Sequence, residues 1–230
     1  MTPSSTDDDF GTPWVLLCEG RGDERFFTKL FKTHGVGKNF TIKVPFSGKG
    51  ALDEFGGRES FGSYLMRASV NERFIDNVKA VLVVADNDDD PALGFQKVIE
   101  ELKMVDGWPV PEVERKAFKK DGAPTVVVLM LPIDEPGNLE TVCLEAAYAK
   151  FGLEEEVAEF SAKTPANDWP ISKRSKMEMQ VLLASNNRKQ PDAGFAASWS
   201  QKEKYQIPAD HACFNPIVDF IAKFEEILDE

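Results

Sequence analysis

Three runs of uninterrupted apolar residues constrain this chain more than any other feature: Trp14–Cys18 (WVLLC), Ala80–Ala85 (AVLVVA) and Thr125–Leu131 (TVVVLML). A strand with one wet face alternates apolar and polar residues, whereas a strand covered on both faces has no such need. Each run is followed by a segment with helical spacing. After the first, DERFFTKLFKTHG from Asp23 places Phe26, Phe27, Leu30 and Phe31 on one face and stops at Gly35. After the second, Asp90-Pro91 reads as an N-cap and first helical residue, turning Phe95, Val98, Ile99 and Leu102 inward. After the third, Pro136-Gly137-Asn138 leads into NLETVCLEAAYAKFG. Strands alternating with helices predict an α/β fold: a mostly parallel central sheet with helices on both faces.

Elsewhere the pattern is weaker. Thr41–Phe46 alternates, and its Pro45 places it near a sheet edge. A poorer helix spans Leu52–Met66, interrupted by Gly56-Gly57, and ERKAFKKDGAPTVVVLMLP reads as two strands around Asp121-Gly122. The last third is helical and less apolar, over Glu154–Ala162, Lys173–Ser185 and Pro216–Leu228. Its apolar stripes (Val181, Leu182; Ile217, Phe220, Ile221, Phe224) are too narrow to stand without a partner surface. The expected organisation is a tail over residues 1–12, an α/β core over 13–152, and a helical extension over 153–230 packed on that core.

Composition excludes several classes. A chain of 230 residues with 42% hydrophobic content is globular rather than disordered. No apolar run is long enough to cross a bilayer and MTPSSTDDDF lacks the features of a signal peptide, so no membrane association is expected. Cys18, Cys143 and Cys213 lie far apart, with neither zinc nor disulfide spacing, which makes a reducing cytoplasm the expected compartment. The net charge of -12 argues against a broad electrostatic grip on nucleic acid. Any such contact would rest on local basic patches or metal ions.

The charge matters most where the strands end. The first run leads into Glu19-Gly20 with Asp23 just beyond, and the second into Asp86-Asn87-Asp88-Asp89-Asp90. In open parallel sheets, ligands sit beyond the carboxyl ends of the strands, where both clusters fall. Hard divalent cations take oxygen ligands, often one or two carboxylates plus substrate phosphates. Asp86 and Asp88, one residue apart in extended chain, can point the same way, and Glu19 can add a third oxygen. A cation there would relieve the repulsion among them. The bland reading of Asp88, Asp89 and Asp90 is a solvated turn ending in an N-cap, which suits Asp89 and Asp90 best.

VLLCEGRGDERFF and VLVVADNDDDP, with the α/β order between them, resemble the Toprim domain. The Glu-Gly-x-x-Asp form, which sets Asp23 beside Glu19, is most similar to the OLD-type (overcoming lysogenization defect) branch. So is Gly137-Asn138-Leu139-Glu140 after the third strand. The resemblance covers roughly the first two-thirds of the chain and implies a Toprim-like Rossmannoid core. It also implies Mg2+ or Mn2+ on Glu19, Asp86 and Asp88, with Asp23 and Glu140 completing a second metal site. Glu19 would be a ligand or the general acid/base. Lys176, or Lys173 close by, would offset charge on the transition state. Asp23 and Glu140 are also readable as first-turn acids on helix dipoles. The chain departs from the OLD pattern in lacking an ATPase: FSGKGAL fails the phosphate-binding-loop motif. Lys49 in that loop could approach a phosphate or simply sit in a turn. Lys173, Arg174 and Lys176 could meet a nucleic-acid backbone or form a solvated helix face. The expected function is metal-dependent phosphoryl transfer by an OLD-like nuclease acting on nucleic acid. The alternative is a non-catalytic module that binds a cation or nucleotide, or docks on another protein. A homodimer and a separate protein partner both stay open.

Overall fold

A computed structural model describes residues 10–45, 56–199 and 203–230. Its strands are β1 (Trp14–Leu17), β2 (Phe40–Lys43), β3 (Ala80–Asp86) and β4 (Thr125–Leu131), all parallel in the order β2-β1-β3-β4. The helices are α1 (Arg21–His34), α2 (Phe61–Ala68), α3 (Glu72–Asn77), α4 (Pro91–Lys103), α5 (Leu139–Phe151), α6 (Glu154–Ala162), α7 (Ile171–Asn186), α8 (Phe195–Ser198), α9 (Asn215–Ala222) and α10 (Phe224–Asp229).

The pleat sorts each apolar run between two cores. Leu16, Leu82, Val84, Val127, Leu129 and Leu131 face the layer that holds Phe26, Phe27 and Leu30 of α1, Cys143 of α5 and Leu182 of α7. Val15, Leu17, Val81, Val83, Val126, Val128 and Met130 face the opposite layer, with Phe61 and Leu65 of α2, Phe74 of α3 and Val98 of α4. Both faces are therefore dry, which is why the strands do not alternate.

The C-terminal helices extend the first core. Phe214 lies 5.3 Å from Phe26, edge to face, and Phe224 of α10 lies 5.2 Å from Trp14. The narrow stripes of α7 and α9 bury Leu182, Leu183, Ile217, Phe220 and Ile221 in this same cluster.

Some boundaries differ from expectation. The helical stretch expected over Pro216–Leu228 is broken at Lys223 into α9 and α10. Of the helix expected over Leu52–Met66, residues 52–55 lie outside the described residues, and α2 begins only at Phe61 after a 3-10 turn, Arg58–Ser60. The strand expected over Thr41–Phe46 ends at Lys43, two residues before Pro45. The first arm of the hairpin expected around Asp121-Gly122 is not a strand. It meets β4 through an antiparallel bridge, Phe118 with Val126. That arm carries Lys116, Lys119 and Lys120, all exposed, and such an edge gains little from a full ladder.

Because Phe214 joins the C-terminal region to α1, Phe214→Ala should cost about 3–5 kcal/mol, in the range for buried Phe truncation. Chemical denaturation should show one transition moved to lower denaturant. A separate early transition for the C-terminal helices would contradict the shared core.

Candidate functional site

The strand order sets the site. From β1 the chain crosses to β2 on one side, and β3 then pairs on the other side of β1. The connections diverge between β1 and β3, and that gap at the carboxyl edge is where an open α/β sheet leaves a crevice. Glu19 lies two residues beyond β1, and Asp86 is the last residue of β3. The Asp86 N–H donates to Glu19 Oε1 at 3.0 Å, so the two acids meet across the switch point.

Two helix starts close around them. In α1, the Asp23 carboxylate accepts the Gly20 N–H at 2.8 Å, which fixes the entry of the helix. In α5, the Leu139 N–H donates to Asp86 Oδ1 at 3.0 Å, and Glu140 follows in the same turn. The positive ends of both helix dipoles favour the negative charge.

Those donors do not fully compensate the crowding. The Asp86 pKa is raised well above the usual aspartate value, first by burial and then by Glu19, Asp23 and Glu140. Asp23 is pushed up to about 7 by burial, with Glu19 and Glu140 adding to it and the Gly20 N–H opposing. Glu19 is raised by burial against the pull of Arg58, and Glu140 by burial against the pull of Lys176. Several carboxyls with raised proton affinity in one crevice mark a functional-site candidate.

Lys176 arrives from α7. Burial lowers its proton affinity, but Glu140, Asp86, Glu19 and Asp88 more than reverse that, and its pKa lies above the ordinary lysine value. Of the two lysines expected here, Lys176 is the one whose charge acts on these carboxylates. Lys173 and Lys176 are both exposed, and the basic cluster splits by what its charges face: Arg174 turns to Glu178 at 3.8 Å and Lys176 to the carboxylates. A polar clamp sets α7 in place: Asp89 accepts from the Ser172 N–H (3.0 Å) and hydroxyl (3.2 Å), while Asn138 Nδ2 donates to Ser172 O at 2.7 Å. Lys49 lies outside the described residues.

The acidic run after β3 divides its work. Asn87 is buried, and its Nδ2 donates to Pro132 O (2.6 Å) and Glu135 O (2.7 Å). Asp88 adopts φ 53°, in the left-handed region, which turns its carboxylate onto Arg58 Nη2 at 2.6 Å. Asp90 caps α4 through the Leu93 N–H, as expected. Asp89 is an exposed turn residue, as expected, and its carboxylate also accepts from the first turn of α7. Gly94 lets α4 approach: a Cβ there would lie 2.8 Å from Asn87 O.

Arg58 is the residue sequence reading missed. It is buried, and besides Asp88 its Nε lies 3.4 Å from Glu19 Oε1. The available signal was an arginine directly after Gly56-Gly57, where a poor helix gives no reason for a charge.

Glu19, Asp23, Asp86 and Glu140 are thus brought together at one edge under Lys176. The expected trio of Glu19, Asp86 and Asp88 shares this edge, but Asp88 and Glu19 are engaged by Arg58. Among the described residues, no group of three or more His, Cys, Asp or Glu side chains is already arranged to hold a metal ion. The donor chemistry nevertheless fits a hard divalent cation: oxygen donors only, crowded until their proton affinities rise. No helix among the described residues is long and apolar enough to cross a membrane.

A family model described as a protein of unknown function (DUF3226) matches residues 13–226. No curated protein and no solved structure matches the chain.

The raised Asp23 carboxyl makes stability pH-dependent. Its pKa is higher folded than unfolded, so the stabilising proton is fully present below about pH 4, the unfolded value. That contribution is lost as pH rises through about 7. In a chelating buffer, thermal midpoints should fall between pH 5 and pH 8. Asp23→Asn, which can still accept the Gly20 N–H, should raise the midpoint by several degrees at pH 8 and leave it nearly unchanged at pH 4. Equal effects at both pH values would show that the Asp23 charge is not under strain.

Proposed function

The chain belongs to the DUF3226 family, and we propose that it is a Toprim-like, metal-dependent phosphoryl-transfer enzyme, an OLD-like nuclease cleaving nucleic-acid phosphodiesters. The observation that carries this reading is the set of half-buried carboxylates with raised proton affinity, Glu19, Asp23, Asp86 and Glu140, opposed by Lys176 at the switch point. Structural ion pairs balance their charges, whereas this edge concentrates one sign in a crevice.

Glu19 and Asp86 would hold Mg2+ or Mn2+, with Asp23 and Glu140 beside them. Such an ion, when bound, supplies Lewis-acid polarisation of a phosphoryl oxygen. The rest belongs to this chain's own side chains. Alternatively, Glu19 would serve as the general acid/base, its proton affinity raised by burial against the pull of Arg58. The Lys176 ammonium, which faces these carboxylates, would offset charge on the phosphoryl group in the transition state.

A second reading, a non-catalytic cation- or nucleotide-binding or docking module, draws on Arg58. The Glu19 and Asp88 oxygens already have a cationic partner, and the net charge of -12 disfavours a long nucleic-acid contact.

Cleavage assays on RNA, single-stranded DNA and duplex DNA with Mg2+ or Mn2+ separate the two. Activity on at least one substrate should fall by about 100-fold or more in Asp86→Asn, and by roughly 10²–10³-fold in Lys176→Met, the range for losing a transition-state charge partner. Glu145→Gln, at an exposed position of α5, should leave it intact. Divalent ion at about a hundred times its Kd should add roughly 2.7 kcal/mol of stability, lost in Asp86→Asn. Ion-dependent stabilisation without cleavage of any substrate would favour the module.

A further inference from the structure

Arg58 is the most enclosed member of its ion-pair group. Its side chain is 10% exposed, against 22% for Glu19 and 40% for Asp88. A buried guanidinium needs acceptors for its N–H groups. Arg58 finds them in Asp88 Oδ2 at 2.6 Å, Glu19 Oε1 at 3.4 Å and the Gly94 carbonyl at 3.4 Å. Two of the three are oxygens of the carboxylate edge, so the arginine sits in the chemical position of a cation.

The backbone around these partners is specialised. Asp88 meets Arg58 from a left-handed conformation at φ 53°, which costs an L-residue energy except where short polar side chains lower the penalty. Gly57, directly before Arg58, has φ 58° and ψ -167°, a conformation open to glycine alone. A glycine at that point gives Arg58 a pivot. The more exposed Asp88 carboxylate offers solvent a way to the pair.

We infer that Arg58 is a built-in competitor of the divalent ion: its guanidinium takes oxygens of Glu19 and Asp88, and yields them when the ion binds. This rests on the metal-site reading above. The same Glu19 oxygen cannot serve both cations at close range, and a divalent charge beside a guanidinium repels it. The exchange has a driving force, because Arg58 and Lys176 together leave Asp86, Asp23 and Glu140 with raised proton affinity, and a doubly charged ion offsets more of that repulsion. Once released, the fork of Arg58 lies beside the crevice with the geometry that suits a phosphate.

Two measurements test the exchange. Mn2+ titration followed by electron paramagnetic resonance should show Arg58→Gln binding the ion about tenfold more tightly than the unmodified chain, a difference equivalent to about 1.4 kcal/mol. In the unmodified chain, phenylglyoxal modification mapped by mass spectrometry should reach Arg58 severalfold faster in Mg2+ than in chelator. Arg25, bonded to the Ala196 carbonyl, should not change. A folded Arg58→Gln with unaltered Mn2+ affinity, while the unmodified chain binds the ion, sinks the exchange alone. Tighter binding with Arg58 still protected on loading also sinks it, since that is a long-range charge effect. If neither protein takes up Mn2+, the metal-site reading falls and the exchange with it. Should Arg58→Gln not fold, the modification rates in the unmodified chain decide.

Discussion

Four carboxylates cannot share a crevice without compensation, and the architecture of this chain answers that constraint. Burial raises the cost of each charge, and like charges raise it further. Three kinds of relief are built in. Backbone N–H groups of Gly20, Asp86 and Leu139 each donate to a carboxylate oxygen. Arg58 and Lys176 bring positive charge from opposite halves of the sequence. The remaining imbalance appears as raised proton affinity. A fold selected for stability alone would have no reason to keep it, which makes the imbalance the feature that calls for a function.

This view changes the role of the C-terminal region. Packed only as apolar cover, α7 could tolerate small shifts along the sheet layer. It is instead held by directional bonds at its first turn. Ser172 bonds to Asp89 and Asn138, and the Ser175 hydroxyl donates to Asn138 Oδ1 at 2.9 Å. Lys176 comes one residue after Ser175. The clamp therefore fixes the register of the lysine against the carboxylates, and it does so through Asp89, a residue of the acidic run itself. The segment that begins as an extension of the core ends as one wall of the site.

How much of this the sequence discloses depends on the range of the interactions. Strands dry on both faces, the starts at Asn138 and Asp90, and the stop at Gly35 are local matters of hydrophobic pattern and capping, and they are legible. The placement of Glu19 and Asp86 at one edge follows from parallel topology, one step further. Arg58 was illegible because its partners lie 30 and 39 residues away, and nothing in the Gly-rich segment around it reports them. Asp89 is the exposed turn residue it reads as, but its second task was illegible because its partner, Ser172, is 83 residues on. The basic run Lys173, Arg174 and Lys176 looked uniform in sequence. Helical rotation separates its members, sending Arg174 to Glu178 and Lys176 to the carboxylates.

The single uncharged member of the acidic run shows how tightly the five positions are specified. Asn87 points into the protein, where the carbonyls of Pro132 and Glu135 both require a donor. An ionised carboxylate has only acceptors to offer, so an aspartate there would set oxygen against oxygen at hydrogen-bond range in a dry position. The amide meets the need, although its Oδ1 is left buried without a partner among the described residues. It ties the end of β3 to the loop after β4, and with it the approach to α5, whose Leu139 N–H holds Asp86. The charges on either side are then free for different tasks: Asp86 toward the crevice, Asp88 to Arg58, Asp89 to α7 and Asp90 to α4. What reads as a repetitive acidic run is a row of distinct attachments.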